Sequence, residues 1–91
     1  MRIVKRTRKF REDVERLKKR GRDLSSLKSV IEKLYKGKKL EFSRYKPHKL
    51  LGKYKDCWEC HIKNDWLLVW FRDEDSNLVL VRTGSHSDLF E

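Results

Sequence analysis

The run Trp66-Leu-Leu-Val-Trp-Phe-Arg72 constrains this chain more than any other stretch. It carries one charge, at its end, in a sequence of which 42% is charged. A strand that alternates apolar and polar residues can leave one face in water, but a continuous apolar run cannot. Residues 66–72 are therefore expected at the centre of a sheet that is covered on both faces. With 91 residues there is room for one small domain, 1–91, and the rest of the chain must supply the cover.

The first half reads as helices. RIVKR at 2–6 suits a short strand, and Thr7 caps a helix from Arg8 on which Phe10, Val14 and Leu17 recur at helical spacing. Gly21 stops it. Asp23 or Ser25 caps a second helix with Leu24, Leu27, Val30, Ile31, Leu34 and Tyr35 as its apolar stripe, ended by Gly37. Two such helices joined by a few residues form a hairpin that is apolar on one side. Residues 38–47 read as a connecting loop. After Pro47 the period changes to strands at 48–51, 57–62, 66–72 and 78–82, with turns at 52–55, 63–64 and 73–77. The order β-α-α-β-β-β-β predicts an α+β domain, a helical hairpin packed on a mainly antiparallel sheet.

Net charge is +10. Such a charge speaks of partners, and fits nucleic-acid phosphates, an anionic membrane or an acidic protein. No apolar run approaches the roughly 18 residues of a spanning helix, and MRIVKRTRKF lacks an apolar export core. A soluble, cytoplasmic protein without a membrane partner is the expectation. Cys57, Cys60 and His61 spell Cys-x-x-Cys-His, the haem-attachment pattern. Residues three apart on a strand point to opposite faces, which suits neither a shared metal nor a disulfide. Met1 is the one thioether available as a second haem ligand. Ordinary reduced cysteines and no cofactor are expected.

The hairpins also gather chemistry. The turn at 63–64 sets His61 beside Asp65 and Trp66. The turn at 73–77 returns Arg82 opposite residues 66–68, with His86 just beyond. Strand 48–51 brings His48 level with residues 60–62. Thus His48, His61, Asp65, Arg82 and His86 meet at one end of the sheet, subject to register. Histidine's unperturbed pKa lies nearest neutrality, so these are proton-transfer candidates. RNA supplies its own nucleophile, the 2′-hydroxyl. Cutting it needs a base, an acid for the leaving 5′-oxygen and a cation for the phosphoryl charge, all present here without a metal. Zinc on three histidines and Asp65 is the competing chemistry, but no helical HExxH spacing is present. A serine nucleophile is a weaker reading still, because Ser85 and His86 are adjacent and diverge in extended chain. Lysines and arginines crowd the first helix and residues 36–55, where Lys49 and Lys53 are candidate RNA contacts. Tyr45, Tyr54 and Trp58 either stack on bases or pack in the core.

Three segments, His48-Lys-Leu-Leu-Gly52, His61-Ile-Lys-Asn-Asp65-Trp66-Leu-Leu-Val-Trp and Arg82-Thr-Gly-Ser-His86-Ser-Asp-Leu-Phe90, resemble in order and spacing the signatures of the RelE/ParE toxin superfamily, specifically its YafQ branch. The resemblance extends over essentially the whole chain. It implies a RelE-like fold and a type II toxin that cuts mRNA in the decoding site of the 70S ribosome. It further implies an acidic cognate antitoxin as partner, and operator DNA bound only through their complex. Arg82 then matches the phosphate-stabilising arginine, and Trp66 and Phe90 the aromatics that meet substrate. His86 is expected as acid, and His61 or His48, oriented by Asp65, as base. One departure is Asn64, where the family usually has proline before Asp-Trp. That change loosens the turn without removing a chemical group. The alternatives are a ParE-like toxin acting on a protein target, which needs no such histidines, and a non-catalytic basic RNA- or ribosome-binding module.

Overall fold

The computed structural model describes residues 2–91; Met1 lies outside them. The elements are β1 (Val4–Arg6), α1 (Arg8–Lys19), α2 (Ser25–Tyr35), α3 (Phe42–Tyr45), β2 (His48–Lys49), a 3-10 turn (Gly52–Tyr54), β3 (Trp58–Lys63), β4 (Trp66–Arg72), β5 (Leu78–Gly84) and α4 (His86–Phe90). They form a five-stranded sheet ordered β1-β5-β4-β3-β2. β1 runs parallel to β5 and every other pair is antiparallel. β4 is central and buried on both faces, as its apolar run requires.

One face lies under the helical hairpin. Phe10 and Leu17 of α1 and Leu27, Val30 and Leu34 of α2 pack on Cys60, Ile62, Trp66, Leu68, Trp70, Leu78 and Leu80. The Thr7 hydroxyl accepts from the Phe10 amide at 3.0 Å, so the expected cap is in place. The other face holds a smaller cluster of Tyr54, Cys57, Leu67, Val69 and Leu89, with Leu50, Phe71 and Val81 against it. Cys60 and Cys57 fall on opposite faces and are both free thiols. Burial pushes the Cys60 thiol up to about 12, far from thiolate chemistry at neutral pH.

Four local features depart from the sequence reading. The 38–47 loop contains the one-turn helix α3, whose last residue, Tyr45, is buried. The 63–64 turn falls instead at 64–65, with Asn64 at φ 48°. Asparagine tolerates that left-handed region and proline cannot enter it, so Asn64 fits this turn rather than loosening it. β5 shifts register between Val69 and Trp70 of its partner, so Arg82 lies opposite Val69, not 66–68. The C-terminal segment is a helix, α4. A Ser85 to Asp88 capping box starts it: the Ser85 hydroxyl accepts from the Asp88 amide at 3.1 Å, and Asp88 Oδ2 accepts from the Ser85 amide at 3.0 Å. Gly84 makes room for the box, because a Cβ there would stand 2.9 Å from Asp88 Oδ2.

Candidate active site

The open face of the sheet ends in a cluster built by β3, the β3–β4 turn and α4. Asp65 leaves the turn and receives two hydrogen bonds on Oδ1, from His86 Nδ1 at 2.7 Å and from the His86 amide at 3.1 Å. The turn therefore both anchors the start of α4 and orients the His86 ring. The His86 side-chain bond, then its amide, holds the Asp65 carboxyl below the usual carboxylate range. With Nδ1 donating to Asp65, His86 presents Nε2 outward. Its ring is 6.2 Å, centroid to centroid, from that of His61 and 6.0 Å from that of Phe90. His61 Nδ1 donates to the Asn64 carbonyl at 3.4 Å, which also leaves Nε2 as its open nitrogen. Phe90, 43% exposed, stands edge-on to Tyr54 with centroids 5.6 Å apart.

His48 belongs to a different pair. It lies opposite Glu59, one residue short of the expected level, and its Nε2 is 3.3 Å from Glu59 Oε1. Its Nδ1 donates to the Lys46 carbonyl at 2.9 Å, so both ring nitrogens are engaged. Glu59 is 3% exposed, and its Oε2 has no hydrogen-bond partner among the described residues. Glu59 and His61 share a face, being two apart on β3. Sequence reading missed Glu59; period 2 from His61 was the signal that placed it there. It also paired Asp65 with the wrong histidines. The carboxylate meets His86, because the turn at 64–65 faces the first turn of α4.

Arg82 is buried beneath this cluster. Its Nε donates to Asp13 Oδ2 at 2.7 Å and its Nη2 to Asp13 Oδ1 at 3.0 Å, while Nη1 donates to the Tyr54 hydroxyl at 3.0 Å. Those bonds to Asp13, first of all, push the guanidinium pKa upward. Two expected substrate contacts are displaced. Trp66 is 1% exposed and lies in the core below the helices, its Nε1 donating to Thr83 Oγ1 at 3.0 Å and the Arg22 guanidinium 4.7 Å above its ring. A side chain so placed packs in the core behind the Asp65 turn. Lys49 pairs across from Trp58, on the opposite face from His48 and His61, because adjacent strand residues alternate. Lys53 stays at the site, its Nζ 5.4 Å from the centre of the Tyr54 ring. Trp58 stacks on Trp70 at 6.5 Å on the helix-covered face, away from the histidines.

The chemistry on offer is two imidazole rings 6.2 Å apart, each with Nε2 open and one of them set by a carboxylate, together with a buried arginine held at Tyr54 and Asp88. Residues 2–91 match the family described as bacterial toxin of type II toxin–antitoxin system, YafQ, which sets the class of the protein. Over 81 residues the chain is 32% identical to the mRNA interferase toxin YafQ of Escherichia coli K12, covering 89% of this chain and 87% of that one. The metal-bound toxin from Helicobacter pylori is 42% identical with a TM-score of 0.87, covering 99% of this chain and all of the other. YafQ in the E. coli DinJ-YafQ toxin-antitoxin complex has a TM-score of 0.87 at 29% identity, covering 99% and 98%. The chain belongs to the YafQ toxin family.

The metal in the Helicobacter toxin makes this donor set worth testing. Among the described residues no three His, Cys, Asp or Glu side chains converge to hold an ion. Asp65 is engaged by His86, and Glu59 by His48. Among the described residues no third such donor converges with the two imidazole nitrogens, and two nitrogens alone do not make a metal centre.

Proposed function

We propose that this toxin is a ribosome-dependent endoribonuclease that cuts mRNA by metal-independent acid–base catalysis. The observation that carries the reading is the His86–Asp65 pair facing His61, each histidine with Nε2 open. His61 takes the proton of the 2′-hydroxyl as that oxygen bonds to phosphorus. The bond to the 5′-oxygen breaks, and His86, oriented by Asp65, returns a proton to it. Arg82 answers the charge on the phosphoryl oxygens, while Phe90 and Lys53 hold base and phosphate at the rim. His48, with both nitrogens engaged, serves as the partner of Glu59 and not as the base.

The site is shallow and exposed, so it cannot by itself hold a flexible RNA in line for attack. The ribosomal decoding site supplies that alignment, which is worth several kcal/mol of a barrier of this kind. The net charge of +10 favours rRNA at one stage and an acidic antitoxin at another, as DinJ partners YafQ in E. coli. Operator DNA is reached only through that toxin–antitoxin complex. The protein works in the cytoplasm, where its substrate is, and no helix among the described residues is long and apolar enough to cross a membrane.

Primer extension on an mRNA in translating extract tests this, with and without 70S ribosomes, comparing wild type with His86→Ala. New 5′ ends are expected only with ribosomes and wild-type toxin, and a chelator is expected to leave them unchanged once ribosomal magnesium is restored. Arrested translation without new ends would replace the nuclease with a ribosome-binding module. Cleavage that requires added zinc would reverse the metal-independent mechanism.

A further inference from the structure

Asp13 is the one fully buried carboxylate of α1. It is 1% exposed and accepts four hydrogen bonds. Two come from the Nε and Nη2 edge of Arg82, one from the Thr83 amide at 3.0 Å and one from Arg16 Nη2 at 2.7 Å. Replacing a buried ion pair by apolar residues is often neutral or stabilising, so stability alone does not explain a bidentate pair at this depth. A guanidinium has five N–H donors in a rigid fork. In Arg82 the Nε proton and one Nη2 proton go to Asp13, the other Nη2 proton to the Asp88 carbonyl at 3.3 Å, and one Nη1 proton to the Tyr54 hydroxyl. One Nη1 proton remains, at the edge shared with Tyr54, whose ring contacts Phe90.

We infer that Asp13 is a positioning residue for the reaction: it clamps Arg82 by its Nε–Nη2 edge, so that the free Nη1 N–H meets the scissile phosphate. This rests on the nuclease reading. Fork-to-fork pairing fixes the guanidinium plane as well as its place, which a single contact does not. Arg16 shares the Asp13 carboxylate, so the group of two arginines and one aspartate keeps a net positive charge for the phosphate. Asp13 also binds the Thr83 amide, which ties α1 to the strand end from which α4 and His86 follow.

A kinetic cycle of Asp13→Asn, Arg82→Lys and the double variant on ribosome-bound mRNA tests the inference. Lysine keeps the charge but has no fork for Asp13 to hold. Asp13→Asn is expected to lower kcat at least tenfold with KM within threefold of wild type. In the Arg82→Lys background it should lower kcat no more than twofold further. Equal losses in both backgrounds, or an unchanged kcat, overturn the inference. Asp13→Glu keeps the charge but displaces the fork; it carries the same cycle if the asparagine variant does not fold, and full kcat there also overturns it. A third readout uses wild type alone. The Arg82 Nε proton should exchange with solvent far more slowly than those of exposed arginines, and fast exchange shows that the clamp does not exist. Absence of cleavage by wild type overturns the nuclease reading and the catalytic role with it. Wild-type cleavage with an indifferent Asp13→Asn overturns this inference alone.

Discussion

The two faces of the sheet use the same strands for opposite ends. Under the helices, alternate residues of β3 to β5 give Cys60, Ile62, Trp66, Leu68, Trp70 and Leu80, all buried. On the other face, the residues between them give Glu59, His61, Leu67, Val69 and Arg82, and the cover is a 3-10 turn and the one-turn helix α4, with Asp13 of α1 reaching Arg82. The thin cover leaves His61, His86 and Phe90 within reach of solvent at the strand ends. The thick cover stores the stability, and the thin one exposes the chemistry. Within the thin side the two histidine–carboxylate pairs also differ. His86–Asp65 is exposed on both sides with one nitrogen open, whereas His48–Glu59 has its carboxylate buried and no nitrogen to spare.

This contrast breaks if a change on one face acts like a change on the other. The largest expected effect is from His61→Ala: cleavage falls about 10²- to 10⁴-fold, the usual reach of a positioned acid or base, with the melting temperature unchanged. A variant that melts early would make His61 a packing residue. Leu68→Ala should do the reverse. It removes a fully buried side chain beneath the helices and should cost about 2–5 kcal/mol in denaturant unfolding, while the folded fraction cleaves normally. Impaired cleavage by the folded fraction would show that the faces are coupled. Trp66→Phe comes next, costing about 1–3 kcal/mol through loss of the Nε1 bond to Thr83 and of ring area. Loss of RNA binding without loss of stability would return Trp66 to the substrate surface.

Smaller effects sharpen the rim. Lys53→Ala should weaken ribosome binding about equally for every mRNA and reduce the salt slope by about 1. An unchanged slope removes Lys53 from the phosphate contacts. The finest test is a titration. Asp65 is held below its ordinary value by His86, so the pair contributes stability above the ordinary carboxylate pKa of about 3.9 and loses it as pH falls through the lower, folded value. Carboxyl NMR should place the Asp65 midpoint below that value, and His86→Ala should raise it. A midpoint indifferent to His86 would mean that the observed pair does not persist in solution.

Much of the fold was legible because its signals are local. The 3.6 period of Phe10, Val14 and Leu17, the Thr7 cap and the run at 66–72 each specify an element within a few residues. The α4 helix was missed: its one signal is the Ser85-to-Asp88 capping box, and five residues give little periodicity to notice. The site was legible as a neighbourhood and not as a set of partners. Short turns bring His61, Asp65 and His86 to one end of the sheet, but which nitrogen meets which oxygen depends on a turn displaced by one residue and a β5 irregularity.

By itself, then, the sequence determined a doubly covered central strand, a helical hairpin over one face, and proton-transfer groups gathered at one sheet end. Only the tertiary structure decided that Asp65 serves His86, that Glu59 lies buried beside His48, that Trp66 is core, and that Arg82 is held from α1 by Asp13. The physical reason is range. Periodicity and turn chemistry are set by neighbours in the chain, whereas Asp13 and Arg82 stand 69 residues apart and meet only when α1 closes on β5.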